Sequence, residues 1–250
     1  MRLLVSVASA AEAEAAITGG ADVIDAKDPH AGALGPVSVA MLGEIHAAVG
    51  GERPVSAALG DAADEAEIER DAYAFIAAGA LFVKVGFGSI TCLDRVAALT
   101  AAAVRGAKAG SGGAALDHPP LFASRPGSGN GGVIAVGYAD MASFADSASM
   151  ALIQMAARAG AVGVLLDTAD KCGSGLRGLM TADALAAWVA EAHDARLVVA
   201  LAGKLTADDL AFVQDAGADI AGVRGAACDK GRTGHVTADR VRALQARIRR

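Results

Sequence analysis

The hydrophobic and polar positions of this chain alternate regularly between short apolar runs and longer segments with helical spacing. The apolar runs have the length and composition of buried strands, and glycine or proline lies at most of the junctions. Each run is followed by a helical pattern, so the alternation predicts eight strands and eight helices. The predicted strands span residues 2–8, 21–27, 54–59, 80–86, 133–136, 163–166, 197–201 and 220–223. The first helix is predicted to begin at Ser9, which forms a capping box with Glu12.

Four helix-to-strand junctions repeat one dipeptide, and they precede strands two, four, six and eight. These junctions are Gly20-Ala21, Gly79-Ala80, Gly160-Ala161 and Gly217-Ala218. They are separated by 59, 81 and 57 residues. Residues 107–131, rich in glycine, serine and proline, explain the longer separation and are predicted to be a flexible loop inserted between helix four and strand five. The repeat favours one closed (β/α)8 barrel, a TIM barrel, as a single domain over 1–250, with an open doubly wound sheet as the main alternative.

Composition narrows the class of protein. A chain of 250 residues that is 54% hydrophobic can bury one large core. No apolar run approaches the roughly 20 residues of a membrane-spanning helix, and the N-terminal segment lacks the features of a signal peptide, so we expect a cytoplasmic protein that does not bind a membrane. The formal charge of −6 offers no general basic surface for nucleic acid. Three widely separated cysteines without a CxxC pair argue against a disulfide framework or a cysteine-based zinc site.

The most informative polar residues lie at the end of strand two, in Asp25-Ala26-Lys27. Because side chains alternate across a strand, Asp25 and Lys27 are expected on the same face. If that face lines a closed pocket, desolvation lowers the pKa of the Lys27 ammonium and makes its amine a nucleophile toward a carbonyl carbon. The pattern therefore predicts a lysine that forms an imine.

Other polar residues follow the remaining strands, where the active sites of barrels form. Lys84 lies inside an apolar strand, and Asp167 ends strand six with Lys171 four residues later. Asp61 and Asp140 follow strands three and five. The structural alternative is that Lys27 and Lys84 each form an ion pair with Asp25 or Asp167. Two lysines and two aspartates on even-numbered strands favour a functional site, in which Lys171 either contacts an anion or balances Asp167.

The loops after strands seven and eight predict an anion site. They contain Gly203-Lys204 and Arg224-Gly225-Ala226. Many barrels bind phosphate at this position through loop amides, a helix N-terminus and a cation. We therefore expect a phosphorylated small-molecule substrate. The alternative is a solvated lysine beside a glycine that serves the backbone conformation.

Four motifs in order resemble one enzyme family. They are Asp25-Ala26-Lys27-Asp28-Pro29, Val83-Lys84-Val85-Gly86, Asp167-x-x-x-Lys171 and Gly222-Val223-Arg224-Gly225-Ala226. Together they resemble the (5-formylfuran-3-yl)methyl phosphate synthases of methanogens and some methylotrophic bacteria, over the whole chain except residues 107–131. The resemblance implies a class I aldolase-like barrel that condenses two molecules of glyceraldehyde 3-phosphate, with loss of phosphate and water. The product serves the biosynthesis of methanofuran or methylofuran.

The resemblance also implies roles for individual residues. Lys27 matches the imine-forming lysine of the family, and Lys84 matches its acid and base. Asp25, Asp167 and Lys171 match its other active-site positions, whereas Lys204 and Arg224 rest on barrel geometry. The chemistry requires no metal and no organic cofactor. The alanine-rich helices are compatible with a homo-oligomer.

Two other functions remain open at this point. A class I aldolase for another sugar phosphate would share the imine-forming lysine and the phosphate site. A phosphate-binding barrel without catalysis would use the same lysines only to bind anions.

Overall fold

The computed structural model describes residues 1–88, 90–112, 132–141 and 147–248. In this part of the chain, eight parallel strands follow one another around a closed barrel in chain order. The first strand closes the barrel by pairing with the last, Leu4 beside Gly222. The predicted TIM barrel is therefore confirmed. The strands are β1 (Arg2–Val7), β2 (Val23–Ala26), β3 (Val55–Asp61), β4 (Phe82–Gly86), β5 (Gly132–Tyr138), β6 (Gly163–Asp167), β7 (Val198–Leu201) and β8 (Ile220–Val223).

Helices cover the outside of the barrel. Those of the described residues are α1 (Ala10–Thr18), α2 (Val39–Val49), α3 (Glu65–Ala77), α4 (Leu93–Gly110), α5 (Ser147–Ala159), α6 (Leu176–Leu179), α7 (Ala182–Asp194), α8 (Leu210–Asp215) and α9 (Ala238–Gln245). The expectation of one helix after each strand is wrong after β6, because the short helix α6 precedes α7 there. Leu176 at its start is completely buried and anchors this turn in the core. None of the helices in these ranges is long and apolar enough to cross a membrane.

The repeated Gly-Ala junctions share one conformation, which explains the repeat. The four glycines have positive φ angles, between 84° and 106°. In each junction the alanine N–H donates to the carbonyl five residues earlier, as in Ala21 to Ala16, and the glycine N–H donates to the carbonyl three residues earlier. This is the Schellman motif, in which glycine takes the left-handed position that ends a helix. The motif then turns a buried alanine directly into the next strand.

The predicted insertion differs from the structure at its start. Residues 107–110 belong to α4, which continues to Gly110 instead of ending near Arg105 as expected. Ala107 is buried against the core, so the apolar face of the helix extends past the predicted boundary. The rest of the insertion, from 113 to 131, lies outside the described residues, and its flexibility stays a prediction. The extent of the single domain over 1–250 also stays a prediction.

The barrel interior divides into an apolar end and a polar end. Large side chains from several strands fill the N-terminal end, including Leu4, Val23, Phe82, Ile134 and Leu165. The charged residues predicted for the site follow farther along the same strands. The interior therefore offers a closed apolar floor beneath a charged opening at the carboxyl ends.

Candidate active site

A row of polar side chains crosses β1, β2 and β3 at one level of the barrel. Ser6 pairs in register with Asp25, and Asp25 pairs with Ser56. The Asp25 carboxylate accepts hydrogen bonds from the Ser6 hydroxyl at 2.7 Å, the Ser56 hydroxyl at 2.8 Å and the Lys84 Nζ at 2.6 Å. Asp25 is 0% exposed and does not line the cavity above it. Asp25 therefore contacts Lys84 directly and holds its ammonium in place.

Lys27 lies directly after β2 and continues its hydrogen bonding, with its N–H donating to the Val7 carbonyl at 2.9 Å. Its buried side chain lines the cavity, and no described residue lies within hydrogen-bonding or ion-pair distance of its Nζ. Burial and the nearby Lys84 ammonium lower the pKa of Lys27 to about 8, although Asp167 and Asp25 act in the opposite direction. The expected fall in pKa is thus reproduced. Compared with the ordinary value of 10.5, the neutral amine at pH 7 is roughly 300-fold more abundant.

Lys27 and Lys84 therefore differ in their partners. Lys84 forms the ion pair of the structural alternative, at 2.6 Å from Asp25, with both side chains buried. Lys27 forms no such pair within the described residues. A buried ammonium with a carboxylate partner stays charged, whereas a buried amine without one is readily neutral. This contrast separates a buried, paired ammonium from a buried amine without a partner among the described residues.

A second ion pair borders the cavity on β6. Lys171 donates to the Asp167 carboxylate at 2.7 Å and to the Thr168 carbonyl at 2.5 Å. Burial raises the pKa of Asp167, but the ammonium groups of Lys171 and Lys27 outweigh it and hold the pKa below its ordinary range. Lys171 thus neutralises the charge of Asp167 through an ion pair. Of the two roles predicted for Lys171, contact with an anion or pairing with Asp167, the structure contains the second. Asp140 fixes this loop by accepting the N–H groups of residues 169 and 170, each at 2.7 Å.

These side chains surround a cavity of about 410 Å³ at the carboxyl ends of the strands. Its floor is apolar and includes Phe82 and Ile134, while its walls carry charge. The size lies within the range of small-molecule sites. Asp61, the last residue of β3, is not part of this lining; its carboxylate accepts a hydrogen bond from the Tyr138 hydroxyl at 2.7 Å.

The loops after β7 and β8 present backbone amides to the cavity. Gly203 and Lys204 both have positive φ angles, 98° and 57°. A short 3-10 turn over residues 225–227 starts directly after Arg224. Within the described chain, the N–H groups of residues 203, 204, 225 and 226 have no hydrogen-bond acceptor. Free amides of this kind, with Lys204 beside them, are suited to bind an anion.

Arg224 is not available to a ligand in the way that its position suggested. The residue is 7% exposed, and its guanidinium makes five hydrogen bonds within the protein. Two of them reach the carboxylate of Glu12, at 2.9 and 3.3 Å, and others reach the carbonyls of Ser6 and Arg232. Since a guanidinium has five N–H groups, none remains for phosphate. Arg224 is therefore corrected from a phosphate ligand to a residue that positions the β8 loop.

Glu12 and Arg232 are functional candidates that the sequence alone did not reveal. Glu12 was expected to cap α1, and its carboxylate does accept the Ala8 N–H at 2.8 Å, not the Ser9 N–H of a standard capping box. The same carboxylate binds Arg224. Arg232, eight residues beyond Arg224, lines the cavity and donates to the carbonyls of Pro29 and Gly32. The only sequence feature that pointed to Arg232 was its position as a cation in the loop after a predicted barrel strand.

Metal ligands are not grouped in this part of the molecule. The described residues contain no cluster of three or more histidine, cysteine, aspartate or glutamate side chains that would hold a metal ion. The three cysteines are unpaired, with Cys228 buried and the other two exposed.

Comparison with known proteins gives a consistent result. Residues 3–245 match the family model described as 4-HFC-P synthase. The chain is 34% identical over 232 residues to the (5-formylfuran-3-yl)methyl phosphate synthase of Methanopyrus kandleri, covering 92% of this chain and 90% of that one. It is 31% identical over 247 residues to the protein of the same name from Methanosarcina barkeri, covering 98% of each. Among solved structures, a 3-hexulose-6-phosphate synthase superposes with a TM-score of 0.59 at 21% identity over the full length of both chains, which supports the fold.

Proposed function

The chain belongs to the 4-HFC-P synthase family and is an enzyme, and from that premise we propose that it condenses two molecules of glyceraldehyde 3-phosphate into (5-formylfuran-3-yl)methyl phosphate. The reaction releases one phosphate and two waters. One observation carries the proposal: an amine without a partner, Lys27, faces a cavity beside an ammonium that is paired with a buried carboxylate. A nucleophile and a proton donor are thus placed side by side. The product would supply the furan unit of methanofuran or methylofuran.

The first step uses the contrast between the two lysines. Neutral Lys27 attacks the aldehyde carbon of one substrate, and Lys84 donates a proton to the hydroxyl that leaves as water. The resulting iminium withdraws electrons and acidifies the adjacent carbon. Lys84, now neutral, takes the proton from that carbon and returns to its charged state beside Asp25. One residue therefore serves as both acid and base.

The enamine formed in this way supports the remaining bond changes. Departure of phosphate from the carbon next to the site of proton loss uses the electron pair of the enamine and leaves an unsaturated iminium. The second molecule loses the proton beside its aldehyde, and the carbanion so formed adds to the carbon that carried the phosphate, which makes the carbon–carbon bond. Ring closure and dehydration give the furan, and hydrolysis of the imine frees Lys27. Asp167, kept as a carboxylate beside the cavity, accepts protons during these steps. Lys171 positions that carboxylate through their 2.7 Å contact.

The amides of residues 203, 204, 225 and 226, with Lys204, are proposed to bind one substrate phosphate. This anchors the three-carbon substrate with its aldehyde directed into the cavity, toward Lys27. Because amides and Lys204 recognise the phosphate alone, selection of the aldehyde depends on reaction with the amine.

The test is to incubate the protein with glyceraldehyde 3-phosphate and follow near-ultraviolet absorbance, with mass measurement of the product. We expect a furan aldehyde absorbance from the wild-type protein and from Lys108→Met, a matched change on an exposed lysine. Lys27→Met is expected to give none. A non-aromatic aldol product would instead indicate another class I aldolase. Binding of substrate without any product would indicate a barrel that binds phosphates without catalysis.

A further inference from the structure

Although the protein as a whole has a formal net charge of −6, cationic side chains predominate in the lining of the cavity. Six cationic side chains of the described residues line it: Lys27, Lys84, Lys171, Lys204, Arg224 and Arg232. Three of them are neutralised by carboxylates, in the pairs Lys84–Asp25, Lys171–Asp167 and Arg224–Glu12. Of the other three, Lys27 is the amine proposed to react. Lys204 and Arg232 therefore remain as cations available to substrate anions.

The two arginines near β8 show why Arg232 is suited to a ligand. Arg224 uses all five N–H groups inside the protein. Arg232 uses two, one to the Pro29 carbonyl and one to the Gly32 carbonyl, and no described carboxylate lies within ion-pair distance of it. Three N–H groups of its fork are thus free, and it is only partly buried. Arg224 also supports Arg232 directly, because it donates to the Arg232 carbonyl at 2.8 Å.

Lys204 and Arg232 diverge from neighbouring loops toward opposite sides of the barrel. Lys204 donates to the carbonyl of Gly173, in the loop after β6. Arg232 donates to carbonyls in the loop after β2, which begins directly beyond Lys27. In a closed barrel of eight strands in chain order, β2 and β6 face each other. Two cations held on opposite sides are arranged for two anions, not for one.

From this arrangement we propose that Arg232 is the ligand of a second phosphate, on the β2 side of the cavity, while Lys204 and the loop amides bind the first. The inference rests on the proposed function, in which two phosphorylated trioses enter one site. A guanidinium fork binds two phosphate oxygens at once and keeps its charge at any physiological pH. Its anchorage on the loop after Lys27 places the second phosphate next to the reacting amine.

Glycerol 3-phosphate titrated into the protein and followed by calorimetry tests this assignment. The compound has a phosphate but no carbonyl, so it occupies anion sites without forming an imine. We expect two equivalents to bind to the wild-type protein and one to Arg232→Gln, with the remaining site at wild-type affinity. Arg232→Lys, which keeps the charge but loses the fork, is expected to weaken the second site about 10- to 100-fold. Arg242→Gln, on the exposed face of α9, should bind two equivalents unchanged.

The assignment would be overturned by two equivalents bound to Arg232→Gln at wild-type affinity, or by a single equivalent bound to the wild-type protein. If Arg232 only held the two loops together, Arg232→Gln would weaken both sites together, which also contradicts the proposal. Thermal unfolding shows whether Arg232→Gln is folded, and Arg232→Lys supplies the answer if it is not. Because the titration involves no chemistry, failure to form the furan product would refute the proposed function without changing this result.

Discussion

The first half of the barrel, β1 to β4, and the second half, β5 to β8, carry the charged groups of the site in different ways. In the first half, the charges of the site lie on strands: Asp25 and Lys84 point into the interior, and Lys27 follows β2 directly. In the second half, Lys171, Lys204 and Arg232 lie on loops and reach carbonyls of the backbone. A strand fixes a side chain more tightly than a loop does, and reacting atoms need the closer positioning. Asp167, at the end of β6, is the exception in the second half. In the proposed mechanism the first half supplies the nucleophile and its proton donor, and the loops of the second half bind the substrate.

The largest effect should come from removing the amine of the first half. Lys27→Met is expected to lower the rate of product formation by at least about 1,000-fold, because Lys27 is the amine that, among the described residues lining the cavity, has no carboxylate partner and interacts with Lys84. The measurement is the initial rate of furan absorbance, with Lys108→Met as the matched surface control. A variant that kept a tenth of the wild-type rate would place the nucleophile elsewhere.

The next effect concerns stability and compares the two ion pairs. Asp25→Asn leaves the Lys84 ammonium buried without a carboxylate and should lower the free energy of unfolding by about 3–5 kcal/mol. Asp167→Asn should cost less, about 1 kcal/mol, because the Lys171 side chain is 16% exposed and can turn toward water. Urea unfolding of both variants measures the difference.

The double variant Asp25→Asn with Lys84→Met controls for the lost carboxylate and should recover most of that stability. Equal losses at Asp25 and Asp167 would contradict the distinction between a buried strand pair and a loop pair.

The same Lys27→Met variant should be more stable than the wild-type protein at pH 7, by at most about 3 kcal/mol. The pKa of Lys27 is about 8 in the folded protein and 10.5 ordinarily. Between these values the unfolded chain binds more protons, so the wild-type protein gains stability from this group as pH rises. The advantage of the variant is therefore full below about pH 8 and disappears near pH 10.5. Urea unfolding at pH 7 and pH 10 measures it, and an advantage that grew with pH would contradict the lowered pKa.

A smaller effect is expected from the second half. Lys204→Gln should raise the concentration of glyceraldehyde 3-phosphate needed for half-maximal rate by about 10-fold, since it removes one charged hydrogen bond to phosphate but leaves the amides. Its rate at saturation and its stability should change little. A large fall in the saturated rate instead would mean that Lys204 takes part in the chemistry.

The sequence identified the strand-borne part of the site better than the loop-borne part, for physical reasons. A charged residue inside an apolar strand, such as Lys84, has few explanations, and the Gly-Ala junctions have one backbone requirement. The sequence did not reveal the partner of Arg224. Glu12 is 212 residues away, and its place in the predicted helix cap had already explained it. Arg232 was hidden in a polar loop, where a surface cation is the common case. The added helix α6 depends on the burial of Leu176, which no local pattern reveals.

The most direct test of the account is borohydride reduction of the protein during its reaction with glyceraldehyde 3-phosphate, followed by peptide mass mapping. Reduction fixes an imine on the lysine that formed it. We expect the adduct on the peptide containing Lys27, in the wild-type protein and in Lys108→Met, and no adduct in Lys27→Met. An adduct on Lys84 would contradict the assignment of nucleophile and proton donor, and the absence of any adduct on folded, active protein would contradict the imine mechanism itself.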